Sequence, residues 1–515
     1  MEKSDADRMA AMKKRGAEMQ RYSELFAAAF DELHQAVVQH VKNPRQYVGP
    51  HHDYPEMSSS DGGFPTFHET GFYKDGSPRD YVGTLRPRGL AGLLGGYRRP
   101  EKGFPNGAAL ASFLRTHEIG KRLSLRPLGD KDLAFSDWPV DHLVGDAVER
   151  YLHVYGLDAP IEAKRRTDIL RPLVFGTVFR TLDLRLVVPV AMTHFEASHF
   201  QLTETTYLAR LPRKLQLARA RMSTHGSGAV KNVVGAATHA FVSTGWTLEV
   251  DDVEAAKKSL RSYSANTLDA IDSFFGALRI ATGISTGYAQ ILWVPKGWAL
   301  DYFCDLTPVY GTTLRQYPSA YDDYGWVRSG SRVTAKQLEE VRRIYGAVVK
   351  SNSEAVRLAL KRLNACLTRT DAPDAILDGT IGLELLLGDD QNQSLAFKLR
   401  LRAAALALVK ADPSLPASDV ASKVKRLYEV RSAIVHGKRK KRSKKASEPS
   451  NADNATDRFL ASDLLRFVLD VLLTHPEYQN PAKIDEGLLL RGDEVAVSYE
   501  ASNQRQGNLR RATLR

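Results

Sequence analysis

Cysteine is almost absent from this chain of 515 residues, and long apolar runs are missing. Its two cysteines, Cys304 and Cys366, cannot form a disulfide framework, which favours a reducing compartment. The strictly apolar runs, such as Ala403–Val409, are far shorter than the roughly 18 residues that a membrane-spanning helix needs. The N-terminal residues alternate charges with Met and Ala and contain no apolar signal core. We therefore expect a cytoplasmic protein that has no membrane partner.

Acidic residues are missing from two segments that carry most of the net charge of +12. Seven bases lie in Lys438–Lys445, and the last fifteen residues contain four arginines. A concentrated basic segment is typical of nucleic-acid binding, although a solvated loop or a nuclear-import signal has the same composition. The bases predicted to contact an RNA backbone are Lys438, Arg439, Lys440, Lys441, Arg442, Lys444 and Lys445.

Shifts in composition along the chain indicate several segments. The predicted segments are an N-terminal helix (1–43), a loop-dominated segment rich in glycine and proline (44–135), a mixed α/β domain (136–330), a helical bundle (333–478) with a disordered basic insertion (438–456), and a C-terminal tail (479–515). The predicted fold class is therefore α+β, with a mixed N-terminal region followed by an all-α antiparallel bundle.

Apolar periodicity predicts the elements of the N-terminal region. The predicted helices are Asp5–Val41, Pro139–Tyr155 and Asn266–Ile280, and the predicted strands are Leu184–Met192, His239–Val250 and Ala289–Val294. None of these elements identifies a chemistry.

The C-terminal region has a helical period almost throughout. Thr334 and Gln337 have capping-box spacing and begin an apolar stripe of more than thirty residues, interrupted only around Ser351–Ser353. Further helices are predicted to begin at Asp374, at Ser394, at Ser418 or Asp419, and at Asp457.

One group of residues, at the end of the helix predicted to begin at Ser418 or Asp419, points to a chemistry. Arg431 and His436 are separated by four residues, Gly437 ends the predicted helix, and the basic run follows at once. A His at a helix C-terminus also interacts favourably with the helix dipole, so helix capping is the alternative interpretation. An Arg, a His and a basic segment together suit cleavage of a phosphodiester without a metal.

RNA supplies its own nucleophile, the ribose 2′-OH. A histidine can transfer the proton near neutral pH, and an arginine can stabilise the charge that develops on the phosphate. Efficient cleavage uses both an acid and a base, whereas one bundle supplies a single His. A homodimer whose two Arg/His sets face one groove would supply both.

The segment Asp374–Gly437 resembles the HEPN superfamily of helical domains, in particular its ApeA-like branch. Three ordered stretches carry the resemblance: Leu383–Gly388 (LELLLG), Arg400–Ala404 (RLRAA) and Leu427–Gly437 (LYEVRSAIVHG). The last contains the family's motif of Arg and His, here with four intervening residues.

The resemblance implies a metal-independent endoribonuclease that acts as a dimer and serves as an anti-phage, abortive-infection or toxin effector. It makes Arg431 and His436 the catalytic pair and Ser432 a supporting residue. It also implies that residues 1–330 sense a trigger, such as a phage component, or that an antitoxin is the partner. Glu384 is expected to form an ion pair with Arg400, Arg402 or Arg431, and Tyr428 to pack in the core.

Two other functions stay open. The bundle could be a catalytically inactive HEPN-like scaffold for dimerisation or nucleotide binding, with the N-terminal region as the recognition module, or the basic run could serve a DNA-binding regulator. His194 and His199 lack the spacing of a zinc-binding helix. His51-His52-Asp53, in the glycine-rich segment, is not expected to bind a metal either. Gly89–Gly96 is not followed by the Lys-Ser/Thr of a phosphate-binding loop. We therefore predict no metal and no cofactor.

Overall fold

A computed structural model of the chain describes residues 5–51, 53–68, 78–85, 104–123, 138–224, 228–249, 251–324, 330–389, 394–436 and 451–490. No helix within these ranges is long and apolar enough to cross a membrane. The chain forms two compact units, each built from separate stretches. The first unit comprises Met1–Pro189, Ala209–Tyr263 and Gln290–Arg315, and the second comprises Val190–Leu208, Ser264–Ala289 and Gln316–Arg515. The predicted boundary near residue 330 does not coincide with this division, because the second unit also includes Val190–Leu208 and Ser264–Ala289.

The first unit contains most of the strands and a group of helices. Its helices are α1 (Asp5–Val41), α2 (Pro105–Thr116), α3 (Glu118–Arg122), α4 (Trp138–Tyr155), α5 (Ala163–Val178), α6 (Arg213–Ala220), α7 (Lys231–Gly235) and α8 (Val253–Leu260). The predicted helix at Asp5–Val41 is confirmed. It buries Phe26, Phe30 and Val37 along one face, because these residues recur at helical spacing.

Within its described residues, the segment 44–135 contains two helices that composition did not predict. It contains the hairpin of β1 (Glu56–Ser59) and β2 (Pro65–His68), a 3₁₀ turn at Val82–Leu85, and helices α2 and α3. Helix α2 begins with Pro105 in its first turn, where a missing N–H costs nothing, and buries Leu110 and Leu114 one turn apart. The surrounding glycines and prolines concealed this short periodic stretch.

A six-stranded sheet has the order β5-β6-β7-β3-β8-β9. The remaining strands in the described residues are β3 (Thr181–Pro189), β4 (Thr193–Phe195), β5 (His199–Gln201), β6 (Thr206–Arg210), β7 (His239–Glu249), β8 (Tyr288–Pro295), β9 (Tyr310–Gln316) and β10 (Ser331–Val333). Strand β3 is antiparallel to both neighbours, with Val187 opposite Val242 on one side and Leu292 on the other. All eight residues of β8 are buried, as its apolar sequence requires. The three predicted strands are therefore confirmed, and the fold is α+β.

The second unit contains a group of packed helices. They are α9 (Ala265–Thr282), α10 (Ala320–Tyr324), α11 (Ala335–Lys350), α12 (Glu354–Thr368), α13 (Ala372–Leu387), α14 (Leu395–Lys410), α15 (Ala417–His436), α16 (Asn451–Thr474) and α17 (Pro481–Ile484). The predicted capping box is confirmed, because Thr334 Oγ1 accepts from Gln337 N while Gln337 Oε1 accepts from Thr334 N. The long apolar stripe breaks where expected: Ser351 ends α11, and the Ser353 side chain caps α12.

Two boundaries differ from the prediction. Helix α13 begins at Ala372, with Asp371 rather than Asp374 accepting the capping hydrogen bond. Helix α16 begins at Asn451, so the insertion predicted to be disordered through residue 456 is helical from 451 onwards. Polar composition suggested disorder there, but the first turns of a helix need no apolar face. The predicted tail continues as a 3₁₀ turn, α17 and a π-helical turn ending at Leu489, and residues 491–515 lie outside the described ranges.

Candidate active site

Helix α15 carries both residues of the predicted catalytic pair on its last two turns. Val420, Val424 and Leu427 are buried at spacings of four and three residues and anchor the first three turns. Burial then decreases along the helix: Arg431 is half-buried, and His436 at the end is exposed. The packed part of the helix therefore holds a polar end that solvent can reach.

Arg431 is held by an acidic group on the neighbouring helix α13. Its Nη2 lies 3.5 Å from Oε1 of Glu384, with the Arg431 side chain 32% exposed and that of Glu384 20% exposed. Tyr428 Oη donates a hydrogen bond of 2.6 Å to the same carboxylate oxygen. The Arg431 guanidinium also lies 5.6 Å from the centroid of the Tyr428 ring. Two side chains, those of Arg431 and Tyr428, thus converge on one oxygen of Glu384, and this arrangement restricts where the guanidinium can point.

The protonation of Tyr428 suits this arrangement. Burial raises the pKa of the Tyr428 phenol, and the hydrogen bond to Glu384 raises the pKa further, whereas the Arg431 charge lowers it. The phenol therefore keeps its proton and donates to the carboxylate. The expectation that Tyr428 packs in the core is incomplete, because its hydroxyl is part of the polar cluster.

The structure selects one partner for Glu384 from the three arginines considered. Arg402 is buried and bonds instead to Asp485 (2.6 and 2.8 Å), Asp389 and the carbonyl of Leu387. Arg400 stacks on Phe397 at 5.3 Å. Glu384 therefore pairs with Arg431, and the cluster is confined to α13 and α15.

His436 is not part of that cluster. Five residues along an α-helix correspond to a rise of about 7.5 Å and a rotation of about 140° between Arg431 and His436. Within the described ranges, no hydrogen bond or ion pair joins His436 or the half-buried Ser432 to Arg431. Within one chain, the imidazole of His436 and the guanidinium of Arg431 therefore lie on different sides of α15.

The predicted RNA-binding bases follow α15 in the sequence. Gly437 and the seven bases of Lys438–Lys445 lie outside the described residues. The structure does place His436 immediately before that run in the chain, at the exposed end of α15.

Sequence reasoning missed a second cluster of reactive side chains in the first unit. His51, Glu149 and Cys304 offer one nitrogen, one oxygen and one sulfur atom that all lie within 4.8 Å of one another. They come from three distant stretches of the chain, so no spacing pattern could connect them. The neighbouring histidine pair His51-His52 was the only available signal.

Comparison with known proteins adds no relative. The chain matches no protein-family model, and no curated protein or solved structure is significantly similar to it. Functional inference therefore depends on the residues and the geometry described above.

Proposed function

We propose that this protein is a metal-independent endoribonuclease of the HEPN type, with Arg431 and His436 as its catalytic residues. The observation that carries the proposal is the half-buried cluster of Arg431, Glu384 and Tyr428 at the solvent-facing end of α15. A guanidinium has five N–H donors, so its contact with one oxygen of Glu384 leaves donors for a phosphate. Its partial exposure gives a phosphate access to those donors.

Arg431 would bind the non-bridging oxygens of the scissile phosphate and stabilise their charge in the transition state. His436 would accept the proton of the ribose 2′-OH as that oxygen bonds to phosphorus. The bond from phosphorus to the 5′-oxygen breaks, and a second imidazole donates a proton to that oxygen. The products are a 2′,3′-cyclic phosphate and a 5′-hydroxyl.

A homodimer supplies what one chain lacks. The placement of Arg431 and His436 on different stripes of α15 favours a cleft in which the Arg of one chain faces the His of another. The exposed side chains of Val435 (51%) and Phe459 (55%) on α15 and α16 provide apolar surface in this part of the unit. We propose that the second unit, which we also call the helical unit, forms the dimer.

The basic run would bind the RNA backbone without selecting a sequence, so affinity should decrease steeply as salt concentration rises. By resemblance alone, the first unit would respond to a phage-derived trigger or to an antitoxin, and the cleavage would serve defence.

Cleavage of total RNA in EDTA tests the proposal. We expect the full-length protein to cleave, and Arg431→Ala and His436→Ala to abolish cleavage. Matched controls are Arg426→Ala, an exposed arginine on the same helix that pairs with Asp457, and His475→Ala at the end of α16. Both controls should cleave like the wild type.

Equal cleavage by the Arg431 and His436 variants would contradict the assignment. RNA binding without cleavage, with or without an added phage lysate as a source of trigger, would support the inactive-scaffold alternative instead. Preference for duplex DNA over single-stranded RNA in a gel shift would support the DNA-binding alternative.

A further inference from the structure

A compact group of metal-ligand side chains lies in the first unit, independent of the proposed nuclease site. His51 lies between α1 and β1, Glu149 lies on α4, and Cys304 lies between β8 and β9. One potential ligand atom from each lies within 4.8 Å of the other two. Ligand atoms around a tetrahedral zinc ion are about 3.3–3.8 Å apart, given bonds of about 2.0–2.3 Å. Small side-chain rotations would therefore close the set around an ion.

The carboxylate of Glu149 is already oriented by the protein. Its Oε1 accepts from Tyr81 N (3.2 Å) and lies 2.8 Å from His153 Nε2, and its Oε2 accepts from Val82 N (2.8 Å). A carboxylate oxygen has two lone pairs, so Oε2 keeps one for a metal ion. Hydrogen bonds of this kind, behind the coordinating atom, are typical of metal ligands in proteins.

The Cys304 segment is fixed in an unusual conformation. Cys304 has a positive φ of 49°, which is uncommon for a residue with a side chain. The Arg150 guanidinium holds the segment by donating to the carbonyls of Cys304 (3.3 Å) and Leu306 (2.7 Å). Strained backbone that neighbouring groups hold in place occurs often at ligand sites.

The side chains of Cys304 and His51 are free to coordinate. Within the described residues, neither the Cys304 sulfur nor a ring nitrogen of His51 makes a hydrogen bond, and the His51 ring contacts Phe303 edge-on at 4.5 Å. A bound zinc ion would deprotonate the thiol.

We propose that His51, Glu149 and Cys304 bind a single Zn²⁺ ion, with the fourth coordination position open to water. The mixed nitrogen, oxygen and sulfur set suits zinc, which accepts all three ligand types, whereas Mg²⁺ and Ca²⁺ require oxygen ligands. The ion ties the segment before β1, helix α4 and the Cys304 segment together. This proposal departs from the expectation of no metal, and it does not depend on the nuclease function.

Metal content and cobalt substitution test the site in the full-length protein. We expect about one equivalent of zinc per chain after dialysis against zinc followed by buffer. Replacement of zinc by Co²⁺ should produce the near-ultraviolet absorption of a thiolate–cobalt bond. Cys304→Ser should abolish that absorption, and His51→Ala should weaken zinc binding strongly. His153→Ala should weaken zinc binding by about 10–100-fold, because it removes the hydrogen bond to Glu149.

Cys366→Ser is the matched control, since Cys366 is the other buried free cysteine and lies on α12 in the second unit. It should keep both the zinc stoichiometry and the cobalt absorption. His51→Ala provides a second variant if Cys304→Ser does not fold, as judged by circular dichroism. A wild-type protein without bound zinc and without the cobalt absorption would overturn the proposal, as would a folded Cys304→Ser variant that binds zinc like the wild type. Neither result bears on RNA cleavage in EDTA.

Discussion

At the scale of single residues, Glu384 is the group that gives the proposed site its geometry. Its Oε1 accepts a hydrogen bond from the Tyr428 hydroxyl and forms an ion pair with the Arg431 guanidinium. A guanidinium on a flexible side chain loses rotamer freedom when it binds a phosphate, and prior contact with Glu384 and Tyr428 reduces that loss. Positioning of Arg431 is therefore the function that we assign to Glu384 and Tyr428.

The Tyr428→Phe variant tests this positioning role. The ring remains beside Arg431, but the hydrogen bond to Glu384 is lost, which corresponds to about 1.5–3 kcal/mol for a bond to a charged group. We expect kcat for RNA cleavage to fall by about tenfold or more with little change in KM. Tyr478→Phe, a half-buried tyrosine of the same unit, is the control and should leave both constants unchanged. A rise in KM with kcat unchanged would show that Tyr428 contributes only to binding.

A second residue-scale prediction concerns Asp272 on α9. Burial raises the pKa of this carboxyl to about 6, while the hydrogen bond from Asn364 and the charges of Arg279 and Lys361 lower it. The native state therefore holds this proton more tightly than the unfolded state, and the free energy of unfolding decreases as pH rises from about 4 through about 6.

The Asp272→Asn variant lacks this titration but can still accept the Asn364 hydrogen bond. The stability of the variant relative to the wild type should therefore increase between about pH 4 and pH 6, by at most about 3 kcal/mol, and then level off. Denaturant unfolding followed by helical circular dichroism measures the difference. A difference that does not change with pH would mean that Asp272 is ionised throughout.

The sequence predicts which residues form the proposed catalytic pair but not the residues that surround them. Arg431 and His436 are recognisable because one motif on one helix contains both. Three arginines were equally good partners for Glu384, and only the packing of α13 against α15 selects Arg431. His51, Glu149 and Cys304 are invisible to pattern reasoning, since the fold alone brings their distant segments together.

At the scale of elements, helix α13 approaches α16 closely where it carries Gly379. A Cβ atom at Gly379 would lie 2.8 Å from the Cβ of Ala461 and 3.3 Å from the sulfur of Cys366. Glycine is therefore required for the spacing of these helices. This packing fixes the position of α13, and therefore of Glu384, relative to α15.

Gly379→Ala should accordingly destabilise the helical unit by about 1–3 kcal/mol, because the added methyl group overpacks the interface. Gly346→Ala on α11 is the matched control: no atom lies within 4 Å of the added Cβ, and alanine favours the helix by about 0.5–1 kcal/mol. Chemical denaturation of both variants measures the two effects, which should have opposite signs. Equal stabilisation by both would show that the interface tolerates the methyl group.

The elements themselves were largely predictable from periodicity. Long amphipathic helices such as α1 and α11 and the apolar strands β7 and β8 agree with the prediction to within a few residues. The errors occurred where the periodic signal is short or polar. Helix α2 is surrounded by glycine and proline, and the start of α16 has the composition of a loop.

At the scale of the whole molecule, the two compact units interleave along the chain. Residues 190–208 and 264–289 belong to the helical unit although they lie in the region predicted as the mixed domain. Composition changes locate boundaries only between consecutive segments, so a unit assembled from separate stretches cannot be predicted in this way.

The composite cleft makes a prediction for mixed dimers. Arg431→Ala retains His436, and His436→Ala retains Arg431, so a dimer with one copy of each keeps one Arg431 and one His436, while water has to replace the second imidazole as the proton donor to the 5′-oxygen. If the cleft combines groups from two chains, co-expression of the variants should restore a measurable fraction of RNA cleavage, whereas each variant alone should show none. Co-expressed variants that remain inactive would indicate that one chain supplies both groups.

The chemistry of the product ends tests the central claim most directly. A defined RNA oligonucleotide is incubated with the full-length protein in EDTA, and the termini are identified by mass spectrometry. Attack by the 2′-OH, assisted by His436 and Arg431, predicts a 2′,3′-cyclic phosphate and a 5′-hydroxyl, and no cleavage where 2′-deoxynucleotides replace the ribonucleotides. Products with a 3′-hydroxyl and a 5′-phosphate, or cleavage of the deoxy-substituted oligonucleotide, would contradict it.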